Sequence, residues 1–284
     1  MKSWQIPNRY FHMYLRALRA MNRVIISMLS LIPNPQSAVR ALRRYAERAP
    51  FRAYCDALAR NMVVNINKRV YASWREAARN AGRGKAGIIY AGIMQELETG
   101  SYSDAFYNII AENAHYIKSL PLDLAQDLTD FIQGKTLEGR RASSLTEELM
   151  QKYKELSESR INLIARTEVS KTQTALTRAR AENLGLEWYV WRTSEDQRVR
   201  SSHEHMSDVL IRWGDPPNPE ALAPAAPDNR ESHGSYHAGE IFNCRCYPEP
   251  VVSADFLSFP MKVYQNGGIR SMTKAQFERV AERS

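Results

Sequence analysis

Apolar and polar positions alternate at helical spacing through roughly the first 185 residues. Tyr10 to Leu31 reads as one helix, stopped by Pro33 and Pro35, and Gln36 to Glu47 as a short basic one. Phe51 to Asn80 carries the clearest pattern, with Tyr54, Leu58, Met62, Ile66, Val70 and Trp74 at steps of four. A strict four-step drifts by about 40° per step on a 3.6-residue helix, so this stripe winds around the axis and meets more than one neighbour. Gly82, Gly84 and Gly87 loosen the chain, after which Ile88 to Leu97 resumes helical spacing until Gly100. Ser101 with Asp104 reads as a cap for a helix over Ala105 to Leu120, and Pro121 opens another through Ile132. Gly134 and Gly139 predict a break. Ser144 with Glu147 fits a capping box for a helix through Tyr153, and Ser159 to Leu184 forms the longest late helix, ended by Gly185.

Past Gly185 the pattern changes to short runs of β-branched and aromatic residues. Glu187 to Thr193, Val209 to Trp213, Tyr247 to Val252 and Met261 to Gln265 predict strands. Pro248 and Pro250 confine the third of these to a sheet edge. Pro216, Pro217, Pro219, Pro224 and Pro227 predict a loop with no regular element. Thr273 to Arg283 closes with an amphipathic helix whose apolar positions are Ala275, Phe277, Val280 and Ala281. The fold class is α+β: a mostly helical N-terminal region, then a smaller mixed α/β domain with few strands and a proline-rich loop. The expected organisation is a basic helical segment over 1–50, a helical region over 51–154, a domain over 155–255, and a C-terminal strand and helix over 256–284.

Hydrophobic residues make up 44% and charged residues 25%, enough apolar surface for a buried core. The net charge of +8 is concentrated. Residues 1–50 contain Lys2, Arg9, Arg16, Arg19, Arg23, Arg40, Arg43, Arg44 and Arg48 against one acid, Glu47. Such a segment is either a polyanion-binding surface or a solvated helix face. Arg16, Arg19, Arg23, Arg40, Arg43, Arg44 and Arg48 are the candidate contacts to DNA or an acidic partner. The longest strongly apolar run, Val24 to Ile32, is far short of the about 20 residues of a spanning helix, so no membrane insertion is expected. Three cysteines, Cys55, Cys244 and Cys246, do not form a disulfide framework, and a reducing compartment fits them best.

The informative stretch is Arg166 to Cys246. Arg166, Thr167 and Glu168 lie on the late helix, with Glu168 on its apolar stripe, where a carboxylate needs a partner such as Arg198 or Arg200. A strand ending in Trp191-x-Thr193 follows. Then come Asp196, Arg198, Arg200 and His203 in the pattern D-x-R-V-R-x-x-H, and after the proline loop Asn243, Cys244, Arg245 and Cys246 in N-C-R-C. In order and spacing this resembles the phage head morphogenesis proteins related to protein F of phage Mu, over about residues 155–255. Two positions depart from the family pattern. The histidine just before N-C-R-C is missing, the nearest being His237, and the glycine five residues after the motif histidine is Asp208.

Two arrangements of the motif are open. Cys244 and Cys246, with His203 and His237, could complete one tetrahedral structural zinc that staples the proline-rich loop. Alternatively the segment is a metal-free clasp in which Asn243 and Arg245 hydrogen-bond the loop and the cysteines pack as small buried residues. No catalytic residue is assigned. A metal-dependent nuclease or toxin-like site built from Asp196, His203, Glu204 and His205 is the enzymatic alternative, but no general base is singled out and no phosphate-cradling loop is present.

What the resemblance implies is a minor capsid or head morphogenesis protein, not an enzyme. Its expected partners are the portal protein, capsid or scaffold proteins and double-stranded DNA bound without sequence preference. Its expected place is inside the virion head, and the host cytoplasm during assembly. A module that binds only protein is the remaining alternative.

Overall fold

Helical spacing in the first two thirds of the chain produces long helices. The computed structural model describes residues 4–82, 87–99, 103–224 and 232–282. In chain order its first helices are α1 (Asn8–Leu29), α2 (Pro35–Glu47), α3 (Ala49–Gly82), α4 (Gly87–Thr99), α5 (Ser103–Leu137) and α6 (Thr146–Asn183). Asn34 caps α2, its side chain accepting from the Ser37 amide, and Pro35 occupies the first turn, where its missing N–H costs nothing. Gly185, at φ +66°, ends α6 in a Schellman turn: Leu186 N–H donates to Ala181 O and Gly185 N–H to Glu182 O.

The predicted stripe on α3 is buried at Leu58, Met62, Ile66, Val70 and Trp74, while Tyr54 is exposed and Cys55 is buried beside it. Two predicted breaks do not occur. Pro121 lies inside α5, which runs on because Ile117, Leu120, Leu124 and Leu128 continue one buried stripe past it. α6 is likewise one helix across residues 153–159. Its start is Thr146, after a 3-10 turn over Ala142–Leu145, so Ser144 does not cap it. Gly134 stays helical, and Gly139, at φ +84°, follows the helix end. Gly84, Gly100 and Ser101 lie outside the described residues.

The chain divides into two units drawn from separated stretches. One comprises Pro7–Asn65 and Tyr107–Glu168, and the other Met1–Ile6, Ile66–Phe106 and Val169–Ser284. Helices α3, α5 and α6 contribute to both. In the first unit, Tyr14, Leu18, Ile25 and Leu42 are buried with Ile117, Leu128 and Tyr153. Three of its buried polar side chains satisfy one another: Tyr153 Oη donates to Asn22 Oδ1 (2.8 Å), and Asn22 Nδ2 donates to Ser157 Oγ (3.0 Å).

The second unit holds the sheet: β1 (Trp188–Arg192), β2 (Val209–Arg212), β3 (Tyr247–Pro250), β4 (Met261–Gln265) and β5 (Gly268–Met272), in the order β3-β1-β2-β4-β5. β1 pairs antiparallel with both β2 and β3, β2 pairs parallel with β4, and β4 with β5 forms a hairpin. β3 is an edge strand, as its prolines require. β5 was not expected. It follows from Asn266-Gly267, both at positive φ, the geometry of a tight hairpin turn. Short helices α7 (Ser201–His205) and α8 (Pro219–Leu222), a 3-10 turn over Ala254–Phe256 and the closing α9 (Lys274–Ala281) complete the described elements. α8 corrects the expectation of a featureless proline loop, because Asn218 caps the turn and Pro219 takes its first position.

One face of the sheet buries Trp188, Val190, Leu210 and Val263 beneath Phe277 of α9, with Val280 and Ala281 packed alongside; Ala275 is exposed. The alternate residues of β1, Tyr189 and Trp191, are wholly buried toward the histidines. Among the described residues no helix is long and apolar enough to cross a membrane.

Candidate functional site

The site lies on the Tyr189–Trp191 face of β1. His203 sits on α7, buried, with its ring edge-on to Trp191 at 5.5 Å. Its Nδ1 faces two sulfurs, Cys244 Sγ at 3.5 Å and Cys246 Sγ at 3.4 Å. Its Nε2 lies 2.9 Å from Tyr236 Oη. The Tyr236 hydroxyl donates to Glu220 Oε1 at 2.6 Å. With that proton committed, the tyrosine oxygen accepts from His203 Nε2–H, and Nδ1 presents a lone pair to the sulfurs. A partner on one ring nitrogen fixing the other as donor atom is the usual support of a metal-bound histidine.

Side chains from α6 hold the cysteine loop. Ser170 Oγ donates to Cys244 O (2.9 Å), and Thr174 Oγ1 donates to Ala238 O (2.6 Å). The loop approaches so closely that a Cβ on Gly239 would lie 2.5 Å from Thr174 Oγ1 and 3.0 Å from Cys246 O; the residue also has φ +92°. Asn243 takes a left-handed conformation, φ 55°, which asparagine tolerates better than most residues. Asp196 and Arg245 tie the two motifs together in a bidentate pair, with Arg245 Nη2 donating to Asp196 Oδ1 at 2.7 Å and Nη1 to Oδ2. Burial opposes ionisation of Asp196, but the Arg198 amide and the Arg245 guanidinium outweigh it and hold the carboxyl below its usual range.

The three ligand-type atoms of His203, Cys244 and Cys246 lie within 4.8 Å of one another and form a group that can hold a metal ion. A tetrahedral zinc with Zn–S about 2.3 Å and Zn–N about 2.0 Å sets sulfur and nitrogen about 3.5 Å apart, so the two S···N distances fit its edges. The thiols behave as a pair. The hydrogen bond from Cys246 lowers the Cys244 thiol well below its ordinary value against the effect of burial, with His203 helping, while the same bond and burial raise Cys246. Among the described residues no other three His, Cys, Asp or Glu atoms converge in this way.

His237 does not join the group. Its Nδ1 is 3.0 Å from Tyr189 Oη, and its ring packs on Tyr189 and Trp213. The expected four-residue ligand set is therefore corrected to three. Arg198 and Arg200 are engaged otherwise than expected: Arg198 lies 3.8 Å from Asp196, and Arg200 donates to Phe242 O at 2.7 Å. Arg166, Thr167 and Glu168 fall in the first unit, where Thr167 and Glu168 are buried and Arg166 stacks over Phe11 at 5.5 Å. Of the basic candidates, Arg19 is paired with Glu158. Arg16, Arg23, Arg40, Arg43, Arg44 and Arg48 are exposed. The reading of the motifs missed Tyr236, Glu220, Ser170 and Thr174. The only signal for the last two was a hydroxyl-rich run on α6, Thr167, Ser170, Thr172, Thr174 and Thr177, unusual inside a helix.

The site is a small module on a mixed sheet: an Asp–Arg pair joins its two motifs, a Cys-x-Cys/His group forms a metal-type clasp, and hydroxyls of α6 hold the cysteine loop. Residues 126–248 match the family model described as Phage Mu protein F like protein. Over that segment the chain is similar to the Mu F-like family, and the match begins within α5, well before residue 155. A relative from Haemophilus influenzae, described as an uncharacterized protein, is 33% identical over 147 residues, covering 51% of this chain and 29% of the relative. The chain thus spans less than a third of that relative's length. No solved structure matches.

Proposed function

We propose that the chain is a minor capsid or head morphogenesis protein of a tailed bacteriophage. It acts inside the head, associates with the portal, and contacts packaged DNA through arginines of α1 and α2. The family supports the head assignment. The observation that carries the DNA contact is the placement of charge. Arg9, Arg16 and Arg23 recur every seven residues on exposed positions of α1, and Arg40 and Arg44 lie four apart on α2 with Arg48 at its C-cap, with no ion pair to any of them among the described residues. Residues 7–65 hold ten arginines and two acids. Side chains spaced along exposed helix faces suit a regular phosphate backbone, and binding of this kind is sequence-independent and salt-sensitive. At the clasp we assign one structural zinc to His203, Cys244 and Cys246, which would pin the cysteine loop to α7.

The test is duplex DNA binding across a salt series, comparing the parent chain with the Arg40→Glu, Arg43→Glu, Arg44→Glu variant. The parent's affinity should fall linearly on logarithmic axes with salt. The variant should bind at least tenfold more weakly at low salt, with a slope reduced by about 3, since each phosphate contact contributes about 0.9. Equal binding by the two proteins would remove α2 as the DNA contact.

A second reading, docking on an acidic partner protein, is favoured by Val24 and Leu31, which are exposed among the same arginines. It predicts that portal protein co-purifies after nuclease treatment and that the parent chain does not bind DNA.

A further inference from the structure

We infer that the metal at the clasp keeps an open fourth position, and that this position takes a carboxylate presented by a side chain of a partner protein. The inference rests on the zinc reading of His203, Cys244 and Cys246 and goes on from what surrounds them. The protein supplies three ligand atoms, and His237, which would have closed the shell, is held by Tyr189 instead. The same three residues line a cavity of about 160 Å³. A water needs only about 15 Å³ of such space, so a small ligand fits.

The chemistry of the cavity selects an anion. Its wall carries the side chains of Arg198, Arg200 and Arg245, with Ser194 and Asn243. Asp196 offsets one of the three positive charges. Ser194 Oγ is buried without a hydrogen-bond partner, a donor left for something in the cavity. A zinc bound by two thiolates and one neutral imidazole has no net charge, so an added anion makes the centre negative beside guanidinium groups that favour that charge. No carboxylate or free histidine lines the cavity to act as a general base, so the open position binds and does not hydrolyse.

Size then decides between oxyanions. Cys244, Cys246 and His203 are each at most 4% exposed, so the ligand must reach down to buried atoms. A slender aspartate or glutamate side chain can do so, and its two oxygens suit both zinc and an arginine fork. The phosphate of a duplex is carried on a backbone too wide to enter. In a head protein the consequence is direct: a partner subunit that completes the metal shell would be locked to the clasp.

Cobalt(II) loaded into the full chain reads both levels separately. Thiolate-to-cobalt charge-transfer bands that vanish in Cys244→Ser establish the metal centre; their absence overturns the zinc reading and this inference with it. With those bands present, acetate should shift the ligand-field bands saturably. Arg198→Ala, a change at an exposed side chain, should weaken the acetate response several-fold and leave the charge-transfer bands in place. Ligand-field bands indifferent to acetate would show a closed shell and overturn the open position while leaving the metal intact. A response to inorganic phosphate but not acetate would overturn the carboxylate assignment.

Discussion

His237 is sealed between Tyr189 and Trp213, and burial pushes its imidazole down to about 4. The neutral form is the one the fold accepts. The contribution to stability is therefore complete above about pH 6.5, where the unfolded histidine is also neutral, and is lost as pH falls from there toward 4. The loss should amount to about 3 kcal/mol over that window. Denaturant titrations of the parent and His237→Gln between pH 7 and pH 4 check it; equal slopes in the two proteins would contradict it. Asp208 is instructive at the same scale. It stands where the family favours glycine, and it has φ 63°. The left-handed backbone explains the glycine, and the pairing of Asp208 with Arg192 explains what the aspartate adds here. Sequence made His203, Cys244 and Cys246 legible because their types and spacing are chemically unusual. Tyr236 and Glu220 were not legible, because a hydroxyl and a carboxylate 16 positions apart have no spacing rule, and only the fold brings them to His203.

Among the elements, α6 and the cysteine loop meet with no spare room. Gly239→Ala adds a methyl 2.5 Å from Thr174 Oγ1 at a backbone angle that disfavours side chains. It should cost about 2–4 kcal/mol and loosen the clasp. Thermal unfolding together with cobalt affinity measures both effects, and an unchanged melting temperature would show that the loop is not pinned. Within the second unit, Arg180 of α6 and Glu96 of α4 form an ion pair at 2.6 Å, both nearly wholly buried, with Arg180 also lying over Tyr71. Glu96→Ala should destabilise by about 3–5 kcal/mol, because it strands a buried guanidinium, whereas Glu96→Leu with Arg180→Met should cost far less. Equal costs for the two would mean that packing, not charge, sets the value. Helix existence was readable from periodicity, but helix continuity was not. Pro121 is a strong local stop signal that a continuous buried stripe overrides. β5 went unpredicted although Asn266-Gly267 marks a hairpin, because its run Gly268–Met272 contains only two large apolar residues, Ile269 and Met272.

For the whole molecule, two features of different kind point the same way. The Mu F-like segment gives the likeness to phage head proteins, and the arginine-bearing helices α1 and α2 give the chain an exposed basic surface outside the matched segment. The charge asymmetry was fully visible in the sequence. The division into units was not, since helices α3, α5 and α6 each serve both and no linker marks a boundary. The cysteine loop has few strands around it and is held to the long helix α6 by the Ser170 and Thr174 hydroxyls.

The proposed role makes this chain a built-in part of a phage head. The most direct test is quantitative mass spectrometry of purified DNA-filled heads, with and without external protease, and again after the heads are opened. The account predicts that the chain is present, resists protease in intact heads and is cleaved once they are opened. Its absence from purified heads, or full digestion in intact ones, would contradict it.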